Sequence, residues 1–435
     1  MSIATNIKGW YKNPALKAVG IYTFTNFFSK AASFLLLFVF TNPVYITPSE
    51  NGLLSLFSNS MLFLMPFLSM GIIHSVSADY FKLSKKDFKD FFTTGFVIPF
   101  GIMIIAMLLL FIFKDRLQQQ YGFPTMFTLL IPLITFLTFC NEQLLSLARN
   151  SNQPAVYLKA NVSKTILELG ISVILVVFFA WRWQGRVTGI LIAYIVIAIY
   201  GFYFFRKNDF LFGRIRRKFI YSELQYALPI IFMQASIFSM SASDRFFLSH
   251  FTNDNNATVG IYSVASTFAL VINVLAMALI QYVFPKIYNQ LSGGTKDLKF
   301  IKKLFTWYIM VLSAGLILLI AGTQVAYRLF INYRYLPALE YQFLLCIGFF
   351  LWGIAYFFYS FLLYHKDKKR IIWLSACCIT CSITLNYFFI KQWSATGAAM
   401  ANLCTYSIVL IITLFITKPY WKNVFIGQAI TNNTN

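Results

Sequence analysis

Charged residues are scarce in this chain, and acidic residues are the scarcest of them. Only 11% of the 435 residues are charged, and 14 aspartates and glutamates stand against 36 lysines and arginines. A soluble domain of this length needs more charged side chains to cover its surface. The composition therefore excludes a soluble globular protein, and the mean hydropathy of +0.68 indicates a membrane protein.

Cysteines are few, and the sequence places none of them in a polar loop. All six fall inside apolar runs, which argues against a disulfide framework. Cys377, Cys378 and Cys381 have a spacing that resembles a metal site, but no histidine or second cysteine pair lies near them in the sequence. We expect them to be small packing residues of a membrane helix, and we expect no metal.

Motifs of nucleotide-driven or hydrolytic chemistry are missing. The sequence contains no GxxxxGK[ST] loop and no HExxH motif. The sequence also offers no cluster of serine, histidine and aspartate in one aqueous compartment that could act as a hydrolase site. We therefore expect a protein that is not an enzyme and that has no resident cofactor.

Long apolar runs are what the chain does have. Backbone polar groups in hydrocarbon must bond to each other, so we interpret the runs as helices. The sequence predicts an all-α polytopic membrane protein with twelve transmembrane helices, at about 20–42, 51–76, 91–113, 124–147, 160–180, 186–205, 225–250, 258–284, 304–331, 338–364, 371–390 and 395–417.

Basic residues are distributed unevenly between alternate loops. With the N-terminus inside, the inner segments hold 27 lysines and arginines and the outer loops hold 7. This asymmetry predicts that both termini are cytoplasmic. The net charge of +22 is then an orientation signal with some attraction to anionic membrane lipids, and no nucleic acid partner is expected.

Two pairs of glycines indicate an internal duplication. Gly52 and Gly260 follow the first and seventh segments, Gly189 and Gly397 open the sixth and twelfth, and both pairs are 208 residues apart. Because six is an even number, we expect two six-helix bundles related by a pseudo-two-fold axis along the membrane normal. The predicted parts are an N-terminal bundle (1–207), a cytoplasmic basic linker (208–222) and a C-terminal bundle (223–435).

A few polar side chains lie within the predicted helices. Lys30 is the only charge in the run Ile21–Thr41, close to the expected membrane midplane, where a cation costs at least about 2.5–3.5 kcal/mol. Asp244 and Arg245 lie on the seventh segment, where Arg245 could line a cavity or pair with Asp244. The candidate cavity residues that bind substrate are Lys30, Asp244, Arg245, Gln234 and Gln281, although the amides could equally be packing contacts.

Two carboxylates complement these cations. Glu142 and Glu168 lie in the fourth and fifth segments. Each could pair with Lys30, carry a coupling ion, or bond to Asn141 or Gln143 between helices. A carboxylate that carried a coupling ion would link transport to a proton or sodium gradient.

Several of these landmarks together resemble a known family. The chain resembles the bacterial polysaccharide flippases, which move O-antigen or capsule repeat units and belong to the multidrug/oligosaccharidyl-lipid/polysaccharide exporter superfamily. The residues that carry the resemblance are Ser29-Lys30, Pro48-Ser49-Glu50-Asn51-Gly52, Asp244-Arg245 and Val259-Gly260-Ile261-Tyr262-Ser263, in this order.

The resemblance implies a function and a location. Flippases of this branch move an undecaprenyl-diphosphate-linked oligosaccharide from the inner to the outer leaflet of the bacterial inner membrane, by alternating inward and outward openings. A basic residue at the position of Lys30 lines the cavity in related flippases, as does a charged pair at that of Asp244-Arg245. The first half of this chain has Leu36-Leu37 at the repeat equivalent of that pair, so we expect its cavity to carry fewer cations.

The resemblance also leaves alternatives on the same fold. An ion-coupled multidrug or organic cation antiporter would need carboxylates facing its substrate, whereas the midplane charge of the first segment is positive. A polysaccharide polymerase or ligase is disfavoured by the short outer loops. We expect a monomer that works with membrane lipids, the lipid-linked oligosaccharide and a polysaccharide polymerase as its partners.

Overall fold

The computed structural model describes residues 14–292, 298–365 and 367–426, and all the regular structure in these ranges is helical. The chain forms two compact units, Met1–Ile231 (unit 1) and Phe232–Asn435 (unit 2). The terminal residues 1–13 and 427–435, whose cytoplasmic location the charge pattern predicts, lie outside the described residues.

Fourteen α-helices in the described ranges account for the predicted segments. In unit 1 they are α1 (Pro14–Phe40), α2 (Pro48–Ser69), α3 (Ile72–Asp79), α4 (Lys85–Ile112), α5 (Lys114–Tyr121), α6 (Thr125–Asn150), α7 (Pro154–Val173, continued by a π-helix over Ile174–Phe178) and α8 (Arg182–Lys207). Then follow α9 (Arg217–Ala242), α10 (Asp244–Phe251), α11 (Ala257–Ser292), α12 (Leu298–Leu329), a 3₁₀-helix (Tyr333–Ala338), α13 (Leu339–His365) and α14 (Lys368–Ile426).

The described helices confirm the fold class that the sequence predicts. Ten of them are long and apolar enough to cross a membrane, and one of these, Lys368–Trp421, holds the last two predicted segments. Ser394, at φ 50° and ψ −127°, marks the kink between those two segments. The seventh segment is formed by the apolar stretch Ile230–Ala242 of α9 together with α10. The protein is therefore an all-α polytopic membrane protein with twelve membrane segments.

The second predicted segment is not one continuous helix. Thr47 caps α2 through a reciprocal box with Glu50, and Pro48 occupies the first turn. The helix then ends where Met70 and Gly71 both adopt left-handed backbone conformations, at φ 44° and 74°. A Cβ atom on residue 71 would lie 2.5 Å from the side chain of Ile230, so only glycine allows α9 to approach here.

Close helix packing in each unit depends on small residues. The backbone nitrogen of Ser172 in α7 lies 2.8 Å from the position of a Cβ atom on Gly189 of α8. In unit 2, Gly397 is packed in the same way against the backbone carbonyl of Phe389, within α14. Lipid offers little hydrophobic driving force between helices, so such close contacts contribute much of the packing energy. The two glycines that are 208 residues apart thus play the same role in their own units.

The predicted linker is packed onto unit 1. Phe210 lies among the aromatic rings of α4 and α8, with ring centroids 5.7 Å from Phe88 and 6.1 Å from Phe92. The division between the compact units falls at Ile231, inside α9. Residues 208–222, and the first half of α9, therefore belong structurally to the first unit.

Candidate functional site

Helix α1 is held on α7 by polar contacts along one face. The hydroxyl of Tyr157 donates to the side-chain oxygen of Asn26 at 2.9 Å, and the hydroxyls of Ser29 and Thr165 are 2.8 Å apart. Lys30 follows Ser29 directly, and its side chain is exposed on the surface of the unit. It forms no ion pair with any residue in the described ranges. The ammonium group of Lys30 is therefore free to bind an anion.

A cluster of three charged side chains lies on α7 and α8, next to this contact. The carboxylate of Glu168 accepts a hydrogen bond from the guanidinium of Arg186 at 2.7 Å, and its other oxygen is 3.5 Å from the ammonium of Lys164. Arg186 also donates to the hydroxyl of Ser172 at 3.0 Å. We call Lys164, Glu168 and Arg186 the unit 1 cluster.

The unit 1 cluster carries more positive than negative charge. Its three side chains are only 13–17% exposed, and two cations share one carboxylate. Aromatic rings provide the surroundings, because Lys164 lies 4.9 Å from the ring centre of Tyr194 and Arg186 lies 5.6 Å from that of Phe40. A net positive charge with little access to water attracts an anion strongly, since the local dielectric constant is low.

Glu142 lies on α6 without a bonded partner. Its side chain is half-buried, and it forms neither an ion pair nor a hydrogen bond with another described residue. Its charge interacts with those of Lys164 and Arg149. The flanking Asn141 and Gln143 are buried and hold unpaired polar atoms. Of the two predicted coupling carboxylates, Glu142 is thus the free one, whereas Glu168 is bound within the unit 1 cluster.

Asp244 and Arg245 form a closed network inside unit 2. The two side chains are 2% and 7% exposed, and the guanidinium donates to the aspartate at 2.7 Å and to the backbone oxygen of Ser241. The other carboxylate oxygen accepts from the hydroxyl of Tyr262 at 2.5 Å and from the amide of Asn402 at 3.4 Å. All the charge of the pair is neutralised locally, which is the arrangement expected of a structural pair.

The two predicted amides also lie in unit 2, but outside the network of Asp244 and Arg245. Gln234 is half-buried on α9, and Gln281 is exposed on α11. Neither is hydrogen-bonded to Asp244 or Arg245, whose polar partners are the tyrosine, the asparagine and the serine carbonyl named above. Their role in binding a substrate stays a prediction.

Sequence reasoning missed Lys164 and Arg186 as site residues. The charge pattern assigns both to the loop charges that set the orientation, one inside and one outside, but both lie on helices and bond to Glu168. The four-residue spacing of Lys164 and Glu168 was the available signal, because side chains at this spacing meet on one helix face. Arg186 gave no such signal, since its contact depends on how α8 packs against α7.

Comparisons with known proteins agree with this architecture. A model of the family described as "Polysaccharide biosynthesis protein" matches residues 15–289. A protein of Haemophilus influenzae described as an uncharacterized membrane protein is 22% identical over 370 residues, which are 83% of this chain and 86% of the relative.

Two solved structures share the fold at low sequence identity. The lipid II flippase MurJ, in its inward closed conformation, matches with a TM-score of 0.73 and 14% identity, over 91% of this chain and 87% of its own. An inward-facing multidrug resistance transporter of the MATE family, in the MOP superfamily, matches with a TM-score of 0.69 and 12% identity, over 91% and 96%. Since the family model covers more than half of the chain, the resemblance predicted from the sequence is confirmed: this multi-pass membrane protein belongs to the polysaccharide biosynthesis protein family and has the fold of the multidrug and lipid flippase transporters.

Proposed function

We propose that this protein moves an undecaprenyl-diphosphate-linked oligosaccharide from the inner to the outer leaflet of the bacterial inner membrane, for the synthesis of a surface polysaccharide such as an O antigen or a capsule. The observation that carries the proposal is the net positive charge of the unit 1 cluster, in a chain of the polysaccharide biosynthesis family. The diphosphate is the strongly anionic part of such a lipid. It needs cations in order to leave water for a site of low dielectric constant.

The cations of unit 1 suit a diphosphate in different ways. Arg186 presents a planar guanidinium, whose geometry matches phosphate oxygens, and one of its nitrogens is already fixed by Ser172. Lys30 is exposed and unpaired, so it is free to make the first contact. In this proposal the diphosphate passes from Lys30 to Arg186 and Lys164, while the polyprenyl tail stays in lipid.

Energy coupling and partners are part of the same proposal. Glu142, which has no bonded partner among the described residues, is the carboxylate suited to bind a proton or sodium ion that drives alternating access. The protein acts as a monomer, makes and breaks no covalent bond itself, and delivers its product to a polysaccharide polymerase. Both termini are cytoplasmic. A cation antiporter is less well supported, because the unit 1 cluster has an excess of cations where a cationic substrate needs carboxylates.

Transport by the purified protein in liposomes tests the proposal. The liposomes contain an undecaprenyl-diphosphate-linked oligosaccharide, and a membrane-impermeant glycosidase measures how much of it reaches the outer leaflet. We expect rapid exposure of the diphosphate lipid and much slower exposure of a matched polyprenyl glycoside without the diphosphate. Equal rates for both lipids, or uptake of a cationic dye instead, would contradict the proposal.

Lys30 provides a sharper form of the same test. Lys30→Ala removes the exposed cation and should slow exposure of the diphosphate lipid about tenfold or more, since a charge-assisted contact contributes about 1.5–3 kcal/mol. Lys30→Arg keeps the charge and should retain most of the rate. A normal rate for Lys30→Ala, at normal levels of folded protein, would remove Lys30 from the proposed path.

A further inference from the structure

Glu223 is a buried carboxyl without a hydrogen-bond partner. It lies in the first half of α9, before the apolar stretch Ile230–Ala242, and it is only 2% exposed. Neither of its oxygens accepts a hydrogen bond from a group in the described part of the chain. A Cβ atom on Gly95 of α4 would lie 2.9 Å from one of these oxygens, so the missing side chain at Gly95 makes room for the carboxyl.

The chain before α9 is bound to α4 immediately beside this carboxyl. We call residues 209–216 the strap. The backbone nitrogens of Gly213 and Arg214 donate to the side chains of Thr93 and Asp90, at 2.9 and 2.7 Å. The guanidinium of Arg216 is 2.5 Å from the other oxygen of Asp90. Because these contacts fix the strap on α4, they also fix where the first turns of α9 lie.

The ion pairs between the strap and α4 do not involve Glu223. Arg216 pairs with Asp90 and Asp87, and Lys89 of α4 pairs with Asp209 at 2.6 Å. The charged and titratable groups on the elements packed around Glu223 are His74 and Asp79 of α3, Lys85, Lys86, Asp87, Lys89 and Asp90 of α4, Asp209, Arg214 and Arg216 of the strap, and Arg217, Lys218, Tyr221 and Tyr226 of α9. Of these, Asp79 is the one whose charge contributes to the raised pKa of Glu223, and that charge is negative.

Ionisation of this carboxyl is therefore costly. Burial, and to a lesser extent the charge of Asp79, raises the pKa of Glu223 from an ordinary value of 4.5 to about 8. The side chain is thus protonated at neutral pH while the first half of α9 lies against α4. If this part of α9 separated from α4, the carboxyl would meet water and its pKa would return towards the ordinary value.

We propose that Glu223 is a proton-binding site that controls the attachment of the first half of α9 to unit 1. The neutral carboxyl is buried against Gly95, and loss of its proton favours the separated state. Attachment is strongest below about pH 4.5 and weakens as the pH rises towards about 8, the range between the two pKa values. The chain passes from unit 1 to unit 2 within α9, so the proton acts on the helix that joins the two units. This inference concerns the protein itself and does not depend on which lipid is transported.

Hydrogen–deuterium exchange of the full-length protein in lipid nanodiscs, without substrate, tests the proposal. The observable is the exchange rate of the backbone amides of Arg217–Leu224 in the wild type, divided by that in E223Q at the same pH, because this ratio removes the intrinsic pH dependence of exchange. We expect the ratio to rise by up to about tenfold per pH unit between about pH 5 and 8 and to level off above about pH 8. A ratio that is the same at every pH overturns the proposal.

Two further measurements distinguish a bound proton from a bound metal cation. D79N removes the negative charge beside Glu223 and should move the plateau to lower pH, whereas Asp115→Asn, an exposed aspartate on α5, should leave it unchanged. A plateau that moves with sodium concentration at constant ionic strength would mean that a metal cation is bound instead, and it would overturn the proposal.

The test remains usable if E223Q does not fold. In the wild type, the infrared band of a protonated carboxyl should disappear as the pH rises through about 8. In D79N the same band should disappear at lower pH. A band that titrates identically in both proteins would contradict the proposal.

Discussion

The two units treat their buried charges differently. In unit 2 one arginine meets one aspartate, and a tyrosine, an asparagine and a backbone oxygen complete the bonding of Asp244 and Arg245. In unit 1 two cations share Glu168, and their side chains are more accessible, at 17% exposed against 7% for Arg245. One network is closed and neutral, and the other is open and has a net positive charge.

This difference assigns the two networks different tasks. A buried ion pair with all its bonds formed fixes the local packing, and removal of either partner leaves an uncompensated charge. A cluster with an excess cation can still bind an anion, which then completes it. The comparison thus favours a structural role for Asp244–Arg245 and a binding role for the unit 1 cluster, and the following predictions test it.

The largest effect is expected from Asp244→Asn. The substitution leaves the guanidinium of Arg245 buried without its carboxylate, which should lower the free energy of unfolding by about 3–5 kcal/mol. Thermal unfolding in detergent, followed by the loss of helical signal, measures this change. The control is Asp209→Asn, which breaks an ion pair to Lys89 at a side chain that is 82% exposed, and which should change stability little. Equal stability of the two variants would contradict the closed network.

Arg186→Gln should affect transport more than stability. Lys164 and Glu168 then form a neutral pair, so the cluster stays compensated but loses its excess charge. The loss of a charge-assisted contact of about 1.5–3 kcal/mol should slow diphosphate-lipid exposure in liposomes by about tenfold to a hundredfold. Arg182→Gln makes the same change on the same helix, at a side chain that is 53% exposed, and should have little effect. If both variants transport normally, the binding role of the cluster is wrong.

A smaller effect is expected from the two glycines that are 208 residues apart. An added methyl group at Gly189 or Gly397 meets the backbone of a neighbouring helical segment, and overpacking of this kind costs about 1–3 kcal/mol. Gly189→Ala also displaces Ser172, a partner of Arg186, so it should reduce transport beyond its effect on stability. Gly397→Ala should change stability alone. Thermal unfolding and lipid exposure, measured on both variants, separate the two outcomes, and Gly101→Ala is the control because open space surrounds it.

The features that the sequence predicts well are those that depend on residues close to each other in the chain. The apolar segments follow from hydropathy summed over about 20 residues, and Lys30 stands out because nothing else in its run is charged. The glycine pairs were visible from their offset, and the structure gives Gly189 and Gly397 the same packing role.

Features that depend on the packing of distant segments were not predictable in this way. Arg186 begins a predicted helix and looked like a loop charge, but it bonds back to Glu168, 18 residues earlier in the chain. The burial of Glu223 requires Gly95, which is far away in the sequence, and the strap that covers α4. The break at Gly71 could be suspected from a glycine in an apolar run, but the contact that a side chain at this position would make, with Ile230 of α9, could not.

The strap also determines where this chain can be cut or enlarged. A long basic connection between two repeats is the usual choice for a protease site, a fused reporter or a split into separately produced halves. Here the backbone amides of Gly213 and Arg214 bond to α4, and Gly213 has no space for a side chain, because a Cβ atom would lie 2.6 Å from the carbonyl oxygen of Lys89. A first half that ended at residue 207 would expose Asp90 and the aromatic rings that Phe210 covers. The segment predicted to link the two bundles is thus a structural part of the first compact unit.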